Sequence, residues 1–377
     1  MLFESKERYD NAIGSQSESQ YDFLDRFPNE ECEKIRNCLN EWFSVYPTAE
    51  QSELRTRFKD SFSPAFYELY IYTLFIKQGF KLSCHPEILG SLKRPDFLAT
   101  KGGIQFYIEA TEVNPSMTKK GVNNLKNSLY DALNKIEIRG MLFSIEEFSL
   151  KTSNQPNSNL IVKFFKTELA KHSYQEVSYN LINNHQKTTI KYEDSAILVI
   201  ISLIPVIENF KENKIAHPIG IFPAEEYESP TESIKNSIIK KSNRYGALDK
   251  PLILCVNSPY SFGFSEILVN DVFYGANKIT YSLDAPHKDE KMERCWEGVY
   301  GSPKNPKLKR VSGVLISHVT ASSMLSNNSW LSKNPFSSKT LDFDLLSLSY
   351  STVQDNRIKK IANKSIQDIL LPDQIMK

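Results

Sequence analysis

The stretch KRPDFLATKGGIQFYIEATEV, residues 93–113, decides how the chain is read. Two runs of strand-forming residues, 95–100 and 104–113, flank Lys101-Gly102-Gly103, and glycines between two such runs mark a tight hairpin. Along the second run alternate residues share a face. Gln105, Tyr107, Glu109 and Thr111 therefore point one way, and Phe106, Ile108 and Ala110 the other. Asp96 lies on the first run, and the fold-back at the glycines can bring its carboxylate near that of Glu109. Two acids held close repel unless a proton or a cation sits between them. Magnesium is the natural occupant, because it takes oxygen ligands and is commonly held by one or two carboxylates with water and a substrate phosphate.

Upstream, SPAFYELYIYTLFIKQGF (63–80) reads as a helix with Ser63 as N-cap, Pro64 at the first helical position and Gly79 as its stop. Its Glu68 has Ala65, Ile71, Tyr72 and Phe75 as helical neighbours, so a glutamate there is costly unless it faces a polar cleft or pairs with an arginine such as Arg94. A short strand is expected at 80–88. Downstream, Val122, Leu125, Leu129, Leu133 and Ile136 form one apolar stripe over 121–138, a second helix, with Lys126 at its edge. The local order is thus helix, three strands, helix.

Further out, strands are expected at 142–150 and 196–204, with a helix at 160–171 between them. Ser229-Pro230-Thr231-Glu232 is a capping box opening a helix that carries Ile234, Ile238, Ile239 and Tyr245 before Gly246. PLILCVN (251–257) is all apolar, as in a strand covered on both faces, and a strand is expected at 311–317. Residues 1–28 read as a loosely held polar arm before a helix at 30–43, and the chain from 351 as a polar tail with one short helix. Helices alternating with buried strands predict an α/β fold, a mixed central sheet flanked by helices.

At 377 residues the chain exceeds the size at which single cores usually stop growing, roughly 250 to 300 residues. The 40% hydrophobic and 24% charged residues fit a globular protein. A net charge of +1 provides no global attraction for nucleic acid, so any such contact has to come from local patches. Two candidates are Lys240, Lys241 and Arg244, and the run Lys304, Lys307, Lys309 and Arg310; such clusters are more often ordinary solvated surface. Five widely spaced cysteines suggest neither a disulfide framework nor a zinc site, and are read as reduced thiols of a cytoplasmic protein. His85 lacks a partner at zinc-ligand spacing. The longest apolar run, 196–207, is too short for a bilayer, which needs about 20 residues. No G-x-S-x-G, H-E-x-x-H or Walker A string occurs, which argues against esterase, zincin and P-loop chemistry.

The residues so far resemble the PD-(D/E)XK nuclease superfamily, the restriction-endonuclease-like fold. That core runs helix, three-stranded meander, helix, strand, with an acid on the first helix, Pro-Asp at the second strand and Glu-X-Lys on the third. The matching positions are Glu68, Pro95-Asp96 and Glu109-Ala110-Thr111, with 109 − 96 = 13 residues between the motif acids. The chain is also similar to a group of bacterial proteins that pair a stretch like HPEILG (85–90) and RPDFL (94–98) with YIEAT (107–111). That likeness extends to 241–257 and 296–315. On it, 1–57 would be an N-terminal helical extension, 58–350 the restriction-endonuclease-like domain with insertions, and 351–377 a tail.

The resemblance implies a Mg²⁺- or Mn²⁺-dependent endonuclease cutting phosphodiester bonds in DNA, or RNA, in bacterial antiviral defence. A homodimer or a defence partner protein would accompany it, and no membrane. Asp96, Glu109 and the carbonyl of Ala110 would hold the metal. Thr111 departs from the motif, because a neutral hydroxyl cannot supply the charge of a lysine. Some members of the superfamily carry that lysine on the following helix, which makes Lys126 the first candidate here and Lys119 and Lys120 looser ones; the latter two, with Lys240, Lys241 and Arg244, are also expected nucleic-acid contacts. The alternative from a different class is a catalytically silent nuclease fold that binds nucleic acid or a protein.

Overall fold

Helices α1 (Gln20–Arg26), α2 (Glu30–Ser44), α3 (Thr48–Asp60) and α4 (Phe62–Lys77) precede a three-stranded meander, β1 (Lys81–Cys84), β2 (Phe97–Lys101) and β3 (Ile104–Glu112). The computed structural model describes residues 1–113, 117–152, 155–223, 230–259, 264–280, 291–326, 328–354 and 357–371; the side chains of 117–120 and 291–292 fall outside that description. Two compact units result, one made of 1–11, 19–114 and 227–377, the other of 12–18 and 115–226.

In α4 nearly every residue from Ala65 to Phe75 is buried, so the helix owes its stability to packing and not to an amphipathic stripe. Its end follows from Gly79, whose φ of 83° lets the chain reverse. The Gly79 N–H donates to Ile76 O (2.8 Å) and the Phe80 N–H to Phe75 O (3.2 Å), while the Phe75 and Phe80 rings meet edge to face at 5.7 Å. This is a Schellman stop with its hydrophobic contact. The start differs from expectation: Ser61, not Ser63, is the N-cap, because the Ser63 hydroxyl donates instead to the buried carboxylate of Glu112.

Gly102 and Gly103 both have positive φ (57° and 81°), the two-residue hairpin turn that pairs β2 with β3 from Lys101↔Ile104 to Phe97↔Ile108. Strand β3 then pairs in parallel with Leu252–Asn257, reached through the crossover helix Pro230–Ser242. Ser229, expected as that helix's cap, lies outside the described residues. The sheet continues through Gly313–Ser317, Ser329–Lys333, Tyr350–Gln354 and Arg357–Ile361, giving eight strands with both parallel and antiparallel neighbours. The fold is therefore mixed α/β, a large mixed sheet flanked by helices.

One face carries Phe97, Ala99, Phe106 and Ile108 against α1–α4; the other carries Tyr107, Leu252, Leu254 and Val256 against the crossover helix and the helix Glu266–Tyr274. Every residue of Leu252–Asn257 is buried, as its unbroken apolar run predicts.

Two expectations fail at the ends of the chain. The segment expected as a loose arm begins with buried Leu2 and Phe3, whose N–H groups both donate to Asn40 Oδ1 at 2.8 Å. The segment expected as a polar tail supplies the last two strands, for which alternation in an edge hairpin suffices without a continuous apolar run.

The second unit has its own core of Leu129, Leu133, Phe143, Phe165, Val177 and Val199. Its four-stranded sheet runs Thr189–Glu193, Ile197–Pro205, Met141–Leu150, Ile219–Ile221, with helices Met117–Leu133, Ser158–Leu169 and Tyr174–Asn183. Among the described residues no helix is long and apolar enough to cross a membrane.

Candidate active site

The β2–β3 register ends at Phe97↔Ile108, and one further step sets Asp96 opposite Glu109. The Ala110 N–H donates to Asp96 Oδ2 at 2.6 Å. In a strand the N–H and C=O of one residue point to the same side, so the Ala110 carbonyl is directed to the Asp96 side of β3 as well. Odd-numbered residues of β3 bond the neighbouring strand instead, as the Tyr107 N–H does to Pro251 O (2.8 Å). The site thus lies where the sheet passes from antiparallel to parallel pairing.

Glu109 is 1% exposed. Burying its charge costs several kcal/mol unless it is compensated, and three groups compensate it. Lys241 Nζ lies 2.7 Å and Arg244 Nη1 2.9 Å from Oε1, and the Tyr245 hydroxyl donates to Oε2. All three come from the end of the crossover helix and the turn after it, where residues i, i+3 and i+4 share a face. Burial, with Glu109 beside it, pushes the Tyr245 hydroxyl well above its ordinary pKa, so it stays a donor.

Asp96 behaves differently from Glu109. Burial first, then the charges of Glu109 and Glu68, raise its pKa well above the usual carboxylate range, against the smaller opposing pull of the Ala110 N–H and Lys241. Folded protein then keeps a proton that the unfolded chain releases above about pH 3.9, so stability declines as pH rises from there through the raised folded value. Asp96→Asn is expected to flatten that decline. Urea unfolding from pH 4 upward measures it, and an unchanged slope would assign the proton elsewhere.

Glu68 sits on α4, 6% exposed. Arg57 holds it by two bonds, Nη1 to Oε2 at 2.5 Å and Nη2 to Oε1 at 2.7 Å, and Tyr46 donates to Oε1 at 2.8 Å. The arginine partner foreseen as Arg94 is Arg57; Arg94 pairs with Glu87 at 2.5 Å. Glu68 acts on Asp96 through its charge, yet its oxygens are committed to Arg57 and Tyr46. Cys84 Sγ lies 3.9 Å from the Tyr46 hydroxyl, and burial pushes its thiol up to about 11, so it is no nucleophile at neutral pH. All five cysteines are free thiols.

The remaining sequence candidates are dispersed. Thr111 is half-buried opposite Val256. Lys126 belongs to the second unit, its ammonium 5.8 Å from the centre of the Phe148 ring. The side chains of Lys119 and Lys120 lie outside the described residues. Lys240 is exposed on the crossover helix, as are Lys304, Lys307, Lys309 and Arg310 on their loop, whereas Lys241 and Arg244, read from sequence as a phosphate grip, are bound to Glu109. His85 takes a positive φ of 48° and its N–H donates to Asp96 O (2.9 Å), a backbone role.

Two carboxylates and a backbone carbonyl are hard oxygen donors of the type Mg²⁺ takes, so the residues fit that ion in chemistry. Among the described residues no cluster of three His, Cys, Asp or Glu side chains stands ready to hold a metal ion. Asp96 and Ala110 face each other directly, and Glu109 would have to release one of its three donors to join them. The sequence signal that could have found Lys241 is the 241/244/245 spacing just before the strand that pairs with β3.

Compared with protein-family models, curated proteins and solved structures, the chain matches none of them.

Proposed function

We propose that this chain is a Mg²⁺-dependent nuclease-like protein that cleaves DNA phosphodiester bonds, with a role in bacterial defence against foreign DNA. The observation that carries this reading is Lys241 Nζ at 2.7 Å from Glu109, across from Asp96, a cation beside the carboxylate that Thr111 leaves without one. The order α4, meander, crossover helix, parallel strand adds support, since it follows the restriction-endonuclease-like core once residues 115–226 are set aside as an insertion.

In this reading Asp96, Glu109 and the Ala110 carbonyl hold the metal, which when bound polarises the phosphate and lowers the pKa of the attacking water. Lys241 and Arg244 offset the charge that develops on the phosphoryl oxygens. Lys240 touches the strand backbone, and such contacts weaken as salt rises. With its pKa raised by burial and by Glu109, Asp96 would have to give up a proton to serve as a ligand, so metal affinity would rise with pH.

A second reading, a catalytically silent module that binds nucleic acid or a protein, is favoured by the saturation of both Glu109 oxygens. Cleavage of supercoiled and linear DNA with Mg²⁺, Mn²⁺ or EDTA separates the two, comparing wild type with Asp96→Ala and Glu109→Ala. Metal-dependent cleavage by wild type alone supports the nuclease. Equal results for all three proteins would sink it, and binding that survives both substitutions would leave the silent module.

A further inference from the structure

The second unit contains a hollow of about 660 Å³, within the range of pockets that enclose small molecules. We propose that it binds a phosphorylated small molecule of nucleotide size. The floor is apolar, made of Ile136, Ile138, Met141 and Leu169, all buried. The rim is cationic: Lys135, Arg139 and Lys166 open onto the hollow, and among the described residues none of the three has a carboxylate partner. Several other lysines of this unit are matched, as Lys151 with Glu193 (2.8 Å), Lys171 with Glu168 (2.6 Å) and Lys187 with Glu146 (2.8 Å). In a chain whose overall charge is only +1, three unmatched cations around one cavity are a local excess that calls for an anion.

Three further features point the same way. Of the two acids on the rim, Glu137 is neutralised by Lys214 at 3.1 Å, leaving Glu212. His172 also lines the hollow, and its buried Nδ1 has no hydrogen-bond partner, with Glu176 at 3.7 Å. Tyr174 and Gln175 of the lining form the first turn of the helix Tyr174–Asn183, whose N-terminal N–H groups favour negative charge. An anionic end at the rim and an apolar or planar body on the floor would satisfy both halves of the cavity at once.

The walls are fixed before any ligand arrives. Gly140, with φ of 63°, packs so closely that a Cβ there would lie 2.2 Å from Lys211 O. Its N–H donates to Asn213 O (3.0 Å) and its carbonyl accepts from the Val206 N–H (2.9 Å), tying the Arg139 wall to the Lys211 wall.

Calorimetric titration of the full chain with ADP, AMP, inorganic phosphate and adenosine tests the site. ADP and AMP are expected to bind at least about tenfold more tightly than adenosine or phosphate alone. The triple substitution Lys135→Ala, Arg139→Ala, Lys166→Ala is expected to weaken ADP at least about tenfold, with thermal unfolding unchanged because the three side chains are exposed. Lys241→Ala is expected to bind ADP as wild type does, which separates this site from the one around Glu109. Equal ADP affinity in wild type and triple variant would overturn the proposal, as would phosphate binding as tightly as ADP or no binding of either at millimolar concentration.

Discussion

On the proposed nuclease reading, replacing Lys241 by alanine is expected to lower metal-dependent cleavage of DNA by about 10²–10³-fold, the usual cost of removing one aimed electrostatic donor from an active site. The loss should lie in kcat and not in the folded state. Arg244 and Tyr245 continue to satisfy Glu109, and the Lys241 side chain is 22% exposed, so its removal leaves no large cavity. Lys241→Arg should keep part of the rate. Lys126→Ala should stay near wild type, since that ammonium rests over Phe148. A second readout separates catalysis from mere support: without Lys241 one competitor for Glu109 is gone, so the Mg²⁺ needed for half-maximal rate should fall even as the rate itself drops. A variant that cleaves like wild type, or loses rate only by unfolding, would remove Lys241 from the chemistry.

The largest stability effect is expected at Arg57. Its guanidinium grips Glu68 with two short bonds, and that hydrogen bonding raises the Arg57 pKa further. Arg57→Ala leaves the carboxylate buried with Tyr46 as its sole remaining donor among these partners, and breaking a buried pair from one side costs about 3–5 kcal/mol. Partial exposure of Arg57 puts the expected value near the lower end, about 3 kcal/mol. The deficit belongs to the charged carboxylate left without its guanidinium partner. Removing the charge with Glu68→Gln in the same chain should return much of the loss. Urea unfolding of the single and double variants at pH 7 measures both effects, and a deficit that Glu68→Gln leaves unchanged would show that Arg57 acts through packing.

Both predictions concern cations that the linear reading either misassigned or passed over, and the reason is the same. In the strands the side-chain period is two and the hairpin turn is short, so the approach of Asp96 and Glu109 is a local matter legible from 93–113. The partner of an acid is not local. Lys241 lies 132 residues beyond Glu109, because the whole 115–226 segment intervenes before the crossover helix. Reading the next helix in sequence as the next helix of the core led to Lys126, whose own unit is built around a separate apolar cluster.

The amino-acid sequence by itself determined the hairpin, the α4 stop at Gly79, the all-apolar central strand and hence a mixed α/β sheet with an acid on each arm of its meander. These rest on short-range rules of periodicity, glycine conformation and burial. Tertiary structure alone decided which cations neutralise those acids, that Glu68 belongs to Arg57, that burial beside Glu109 raises the Asp96 pKa, and that the last polar residues complete the sheet. Each of those depends on distances closed across the fold, where desolvation makes an unpaired charge too costly to leave and the nearest cation in space, from whatever part of the chain, becomes its partner.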